Sequence, residues 1–132
     1  LESGACNHVM DAEDAPGYDV VPSTGSRRGQ NFIVGDGHAV PNEGEVHLSL
    51  EAPDDRGGRV PVQTCFHVAE INRPLMSVSR ICDQGFTCVF SKDAARVLDQ
   101  EQNQVCRFER ADGLYVANMK LKQPEPFHRQ AP

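Results

Sequence analysis

The chain has 132 residues, of which 39% are hydrophobic, 24% charged and none Trp, enough for one domain with its own core and too little for two. Its formal net charge of -6 is uneven, with 4 basic against 11 acidic side chains in residues 1–60, and no Lys/Arg cluster exceeds Arg27-Arg28, which argues against a nucleic-acid binder. Five cysteines without framework spacing, no signal peptide and no long apolar run argue against a secreted disulfide scaffold and a membrane protein, and for reduced thiols in an intracellular, cytoplasmic setting.

Eleven Gly and nine Pro predict many turns and short strands. The first forty residues are irregular, punctuated by Gly and Pro, with a short apolar stretch at Asn31–Val34 and a tight-turn signal at Gly35-Asp36-Gly37. Alternation then becomes clear. Val46, Leu48 and Leu50 share one strand face, with Glu45, His47, Ser49 and Glu51 on the other. Asp54–Gly58 reads as the turn, and Val60, Val62, Thr64, Phe66 and Val68 form the inward face of a return strand. Pro61 marks that strand's start as an edge.

One short helix is expected after Pro74, capped by Ser77 and ended by Gly85, with Val78, Ile81 and Cys82 on one face. Strands are expected at Phe86–Phe90, Arg96–Asp99 and Val105–Glu109. Asp112-Gly113 is a hairpin-type turn, and Leu114–Leu121 is the last strand expected. Residues 1–122 therefore read as one N-terminally truncated domain and 123–132 as a linker or tail. The fold class is mostly β, a small closed or partly closed β-barrel with one short helix near the C-terminal end.

The N-terminal Leu1-Glu2-Ser3-Gly4-Ala5-Cys6 carries the chemistry-bearing types. A carboxylate beside a hydroxyl and a Gly suits a tight active-site loop. Two carboxylates about 3 Å apart share one proton, so that one activates water while the other polarises a carbonyl. One chain supplies one such loop, so a dimer is required.

Arg73–Phe90, which reads Arg-Pro-Leu-Met-Ser-Val-Ser-Arg-Ile-Cys-Asp-Gln-Gly-Phe-Thr-Cys-Val-Phe, resembles a segment of copia-type retrotransposon proteases. Ile33–Val40 is similar to the flap of that retropepsin-like family, and Asp112-Gly113-Leu114-Tyr115 to its late Gly-Leu-Tyr strand. With the Glu2 loop these make four segments in the family's order, from residue 1 to about 121. The resemblance implies the retropepsin-like acid-protease fold and a homodimeric aspartic endopeptidase of a Gag-Pol polyprotein. It would cleave extended polypeptide at the polyprotein's own junctions, without a cofactor, nucleic acid or membrane.

By position, the family's catalytic Asp falls on Glu2, its Ser/Thr on Ser3 and its Gly on Gly4. The flap falls on Val34, Gly35, Asp36, Gly37 and His38. Glu in place of Asp moves the carboxylate by roughly 1 Å, a displacement that can cost on the order of 10²-fold in rate. Reduced or lost activity is therefore expected, and the alternative is a pseudoprotease that serves as a dimerisation or peptide-binding module.

Cys6-Asn7-His8 and Cys65-Phe66-His67 both read Cys-x-His. Their spacing is not a finger or ribbon pattern, and the pairs read as packed or exposed neighbours, with no metal assigned. Cys82 and Cys88 read as core residues, since a buried free Cys behaves as a small hydrophobe.

Overall fold

The computed structural model describes residues 1–124. The β4 strand (Gly44–Pro53) and β5 (Arg59–Val68) form one continuous antiparallel ladder from Gly44↔Val68 to Pro53↔Arg59. Alternation dictates the faces, as a period of two requires. Val46, Leu48, Leu50 and Ala52 are buried from β4, and Phe66 and Val68 from β5. The turn between them closes on Asp54, whose Oδ1 accepts from the N–H groups of Arg56 and Gly58, both at 2.8 Å.

Short β1 (Val9–Met10) runs parallel to the end of β5 and covers just His67 and Val68 of that strand. That leaves Pro61, which has no N–H to give, on an uncovered edge. The N-terminal segment also holds a single 3-10 turn at Ala12–Asp14 and a one-turn helix α1 at Thr24–Arg27. The two-stranded hairpin of β2 (Asn31–Ile33) and β3 (Ala39–Pro41) stands apart from the larger sheets.

The expected helix is α2, Val78–Asp83, with the Ser77 side chain accepting from the Arg80 N–H as its N-cap. Ile81 is buried beneath it, but Cys82 is exposed and Cys88 only partly buried. The core role expected for Cys82 is thus corrected. Successive helical residues are rotated by about 100°, and in a six-residue helix Ile81 already holds the inward position.

A second four-stranded antiparallel sheet follows in meander order: β6 (Thr87–Phe90), β7 (Ala94–Leu98), β8 (Gln104–Ala111) and β9 (Leu114–Val116). Asp112 and Gly113 both have positive φ, 52° and 78°, as a two-residue hairpin turn demands. The final strand is not continuous. After Val116 the chain leaves the second sheet, and Lys120–Leu121 (β10) pairs with Glu51 and Leu50 at the edge of the first. Ala117 and Met119 pack into the core during this crossing, which a single straight strand could not achieve.

The two sheets curl against each other as a small, partly closed β-barrel. Met10, Val46, Leu48, Leu50, Phe66 and Val68 fill one half of the core, and Ala52, Ile81, Ala95, Val97, Cys106 and Phe108 the other. Val62, Met76 and Met119 pack against both halves. Burial of each such large side chain contributes about 1.5–3 kcal/mol. Among the described residues no helix is long and apolar enough to cross a membrane. Most of the tail expected at 123–132 lies outside the described residues.

Candidate functional site

The Glu2–Gly4 loop is held by the extended segment that leads into α2. Glu2 donates its N–H to the Met76 carbonyl at 2.8 Å and accepts from the Val78 N–H at 3.2 Å. On the return, Val9 exchanges two hydrogen bonds with Leu75, at 2.8 and 3.0 Å. Neighbouring residues of an extended strand direct their N–H and C=O groups to opposite edges. The loop therefore leaves along one edge of Leu75–Ser77 and returns along the other.

Ser77 is the buried centre of this arrangement. It is fully buried, and its hydroxyl donates to the Ala5 carbonyl at 2.6 Å. Its N–H donates to Nδ1 of His8 at 2.8 Å. Burial, and then the charge of Arg80 and the neighbouring His67, lowers the His8 pKa from 6.5 to about 4. His8 is thereby kept neutral, with Nδ1 as the acceptor. Cys6 points outward while His8 is buried, so this Cys-x-His run does not converge.

Glu2, Ser3 and Gly4 are themselves exposed. The Glu2 carboxylate turns back onto its own loop, Oε1 accepting from the Gly4 N–H at 3.0 Å. A Cβ at residue 4 would come within 3.3 Å of that oxygen, so Gly keeps the loop tight. The Leu1 backbone nitrogen donates to the Tyr115 carbonyl at 2.9 Å.

Val34, Gly35, Asp36, Gly37 and His38 form the tip of the β2–β3 hairpin. Val34 N–H donates to His38 O at 2.9 Å, and Gly37 N–H to Val34 O at 2.8 Å. Asp36 receives both the His38 N–H and its ring Nδ1, and these bonds lower its pKa. Among the described residues no hydrogen bond or ion pair joins this tip to Glu2, Ser3 or Gly4. Both elements instead dock at the end of β5. The His8 ring lies 5.2 Å from that of Phe66, and the Phe32 ring meets His67 edge-on at 5.6 Å.

Two apolar cavities open between the sheets. One, of about 220 Å³, is lined by His8, Val62, Met76, Ile81, Val105 and Phe108 among others. The other, of about 440 Å³, includes Leu1, Leu48, Phe66, Arg73, Met119 and Leu121. Neither is lined by Glu2–Gly4 or by the hairpin tip.

A second cluster was hidden in the sequence. Across the outer face of the β4–β5 ladder, His47 stands opposite Cys65 and Glu45 opposite His67. One ligand atom each from Glu45, His47 and Cys65 lies within 4.8 Å of the other two. The Cys-x-His run on β5 contributes only Cys65 to this group; Glu45 and His47 come from a strand about twenty positions earlier. No family model, no curated protein and no solved structure matches the chain.

Proposed function

We propose that this chain is a retropepsin-like endopeptidase domain of a polyprotein, acting as a homodimer with much reduced activity. One observation carries the reading. The Glu2-Ser3-Gly4 loop and the Ser77 segment, two of the four family-like runs, lie more than seventy positions apart and are hydrogen-bonded to each other. In the reaction, two Glu2 carboxylates facing each other at a two-fold axis share a proton, and one activates the water that attacks the scissile carbonyl. The exposed loop has one carboxylate and lines neither of the two cavities described, so this reading requires a second copy to complete the site. The Val34–His38 tip would close over extended peptide. Five free cysteines support a reducing, cytoplasmic setting.

The bent Glu2 carboxylate favours a second reading, a pseudoprotease that retains dimerisation or peptide binding. Its Oε1 is already occupied by the Gly4 N–H of its own loop. Cleavage of a peptide library at mildly acidic pH, with Glu2→Asp alongside, separates the two. Weak cleavage by the native chain that rises on the order of 10²-fold in the variant supports the peptidase. Activity that appears only in Glu2→Asp supports the pseudoprotease, and no cleavage by either protein sinks the peptidase reading.

A further inference from the structure

We propose that Glu45, His47 and Cys65 form a binding site for a zinc-type divalent ion on the outer face of the β4–β5 hairpin. The site is independent of the peptidase reading, since none of these side chains belongs to the Glu2 loop or the hairpin tip.

The ladder register places the three ligands. Directly opposed residues of an antiparallel pair have Cβ atoms about 4.5–5.5 Å apart, and residues two apart on one strand share a face. His47 is opposed to Cys65, and Glu45 lies two residues before His47 on the same face. The Glu45 carboxylate is 3.3 Å from Nε2 of His47. A tetrahedral ion with bonds of about 2.0–2.3 Å holds its ligand atoms roughly 3–4 Å apart. The present spread, up to 4.8 Å, exceeds that spacing by about 1 Å.

The donor chemistry selects the ion. Nitrogen, sulfur and carboxylate oxygen together suit zinc, whereas calcium and magnesium take oxygen ligands. Burial, and then the Glu45 carboxylate, raises the Cys65 pKa; a bound cation would displace that proton. Glu45 supplies compensating negative charge, and Arg80 is the opposing cation, acting on both Cys65 and His67.

The surroundings add an independent sign of an incomplete polar cluster. Nδ1 of His67, the cross-strand neighbour of Glu45, is buried and finds no hydrogen-bond partner among the described residues, an unusual condition for a polar atom. His47 is largely exposed, its side chain at 67%, which leaves a fourth position open to water. An ion there ties β4 to β5 beside the β2–β3 hairpin, whose Phe32 rests on His67.

Calorimetric titration of the reduced full chain with ZnCl2 tests the site. One equivalent is expected to bind, and Cys65→Ser, His47→Gln and Glu45→Gln should each weaken binding at least tenfold. Cys6→Ser should bind as the native chain does. Zinc should also slow alkylation of Cys65 while leaving exposed Cys6 and Cys82 unaffected. Because His47 is exposed, His47→Gln tests a ligand without disturbing the core. Absence of binding, unchanged affinity in any of the three ligand variants, or weakening by Cys6→Ser overturns the proposal.

Discussion

Nδ1 of His8 accepts a 2.8 Å hydrogen bond from the backbone N–H of Ser77, 69 positions further along the chain. The bond requires an unprotonated Nδ1, so it ties the N-terminal loop to the entry of α2 only while His8 is neutral. A pKa lowered from 6.5 to about 4 means that the unfolded chain takes up this proton before the folded chain does. Stability from His8 is therefore complete above pH 6.5 and is lost progressively as pH falls towards 4, by up to about 3 kcal/mol. Urea unfolding across that range should show the slope, and His8→Ala should flatten it while lowering stability at pH 7.

Ser77→Ala removes the N-cap of α2 and leaves the Ala5 carbonyl without its 2.6 Å donor. Loss of a cap costs about 1 kcal/mol, and an orphaned, half-buried acceptor adds about 1 kcal/mol more. A fall of about 2 kcal/mol is expected in denaturant unfolding. A change within experimental error would show that the loop does not depend on Ser77.

Gly44 has φ +134°, and a Cβ there would run into the Val21 carbonyl oxygen. That oxygen accepts from the Glu45 N–H at 2.8 Å, so it cannot retreat without breaking the bridge. Gly44→Ala should destabilise by about 3 kcal/mol, strain and the broken bridge together. Thermal unfolding of the variant measures it, and a native-like midpoint would contradict the close approach.

Asp55, in the turn after β4, reaches across to the second sheet and accepts from Arg96 at 3.1 Å and Arg107 at 2.5 Å. Arg107 also pairs with Glu109 at 2.7 Å. These groups are partly exposed, so salt should screen them. Asp55→Asn is expected to lower the unfolding midpoint in dilute buffer, less than Ser77→Ala does, and the difference should shrink at about 1 M salt. An effect independent of salt would mean that packing rather than charge unites the sheets there.

Local pattern alone determined much of this protein. The alternation of Val46, Leu48 and Leu50 against Glu45, His47 and Ser49 specified both faces of β4. Ser77 and Gly85 bracketed α2, and Asp112-Gly113 placed a hairpin turn. Each rests on period or turn chemistry within a few residues, where backbone sterics act without help from the rest of the chain. The Glu2 loop and the 34–38 tip were likewise legible as segments, and they fold as a loop and a hairpin.

Tertiary structure decided what those segments meet. Leu114–Leu121 looks like one strand, but packing of Ala117 against one half of the core and of Met119 against both sends its end to the other sheet. Cys82 reads as sharing a helix face with Val78 and Ile81 yet faces solvent, because helix phase beside Ile81 chose for it. Glu45, His47 and Cys65 converge only through the β4–β5 register, and His8 meets Ser77 only once the loop encloses the Leu75–Ser77 segment. Periodicity says which way a side chain points; the partner it finds across dozens of residues is settled when the sheets pack.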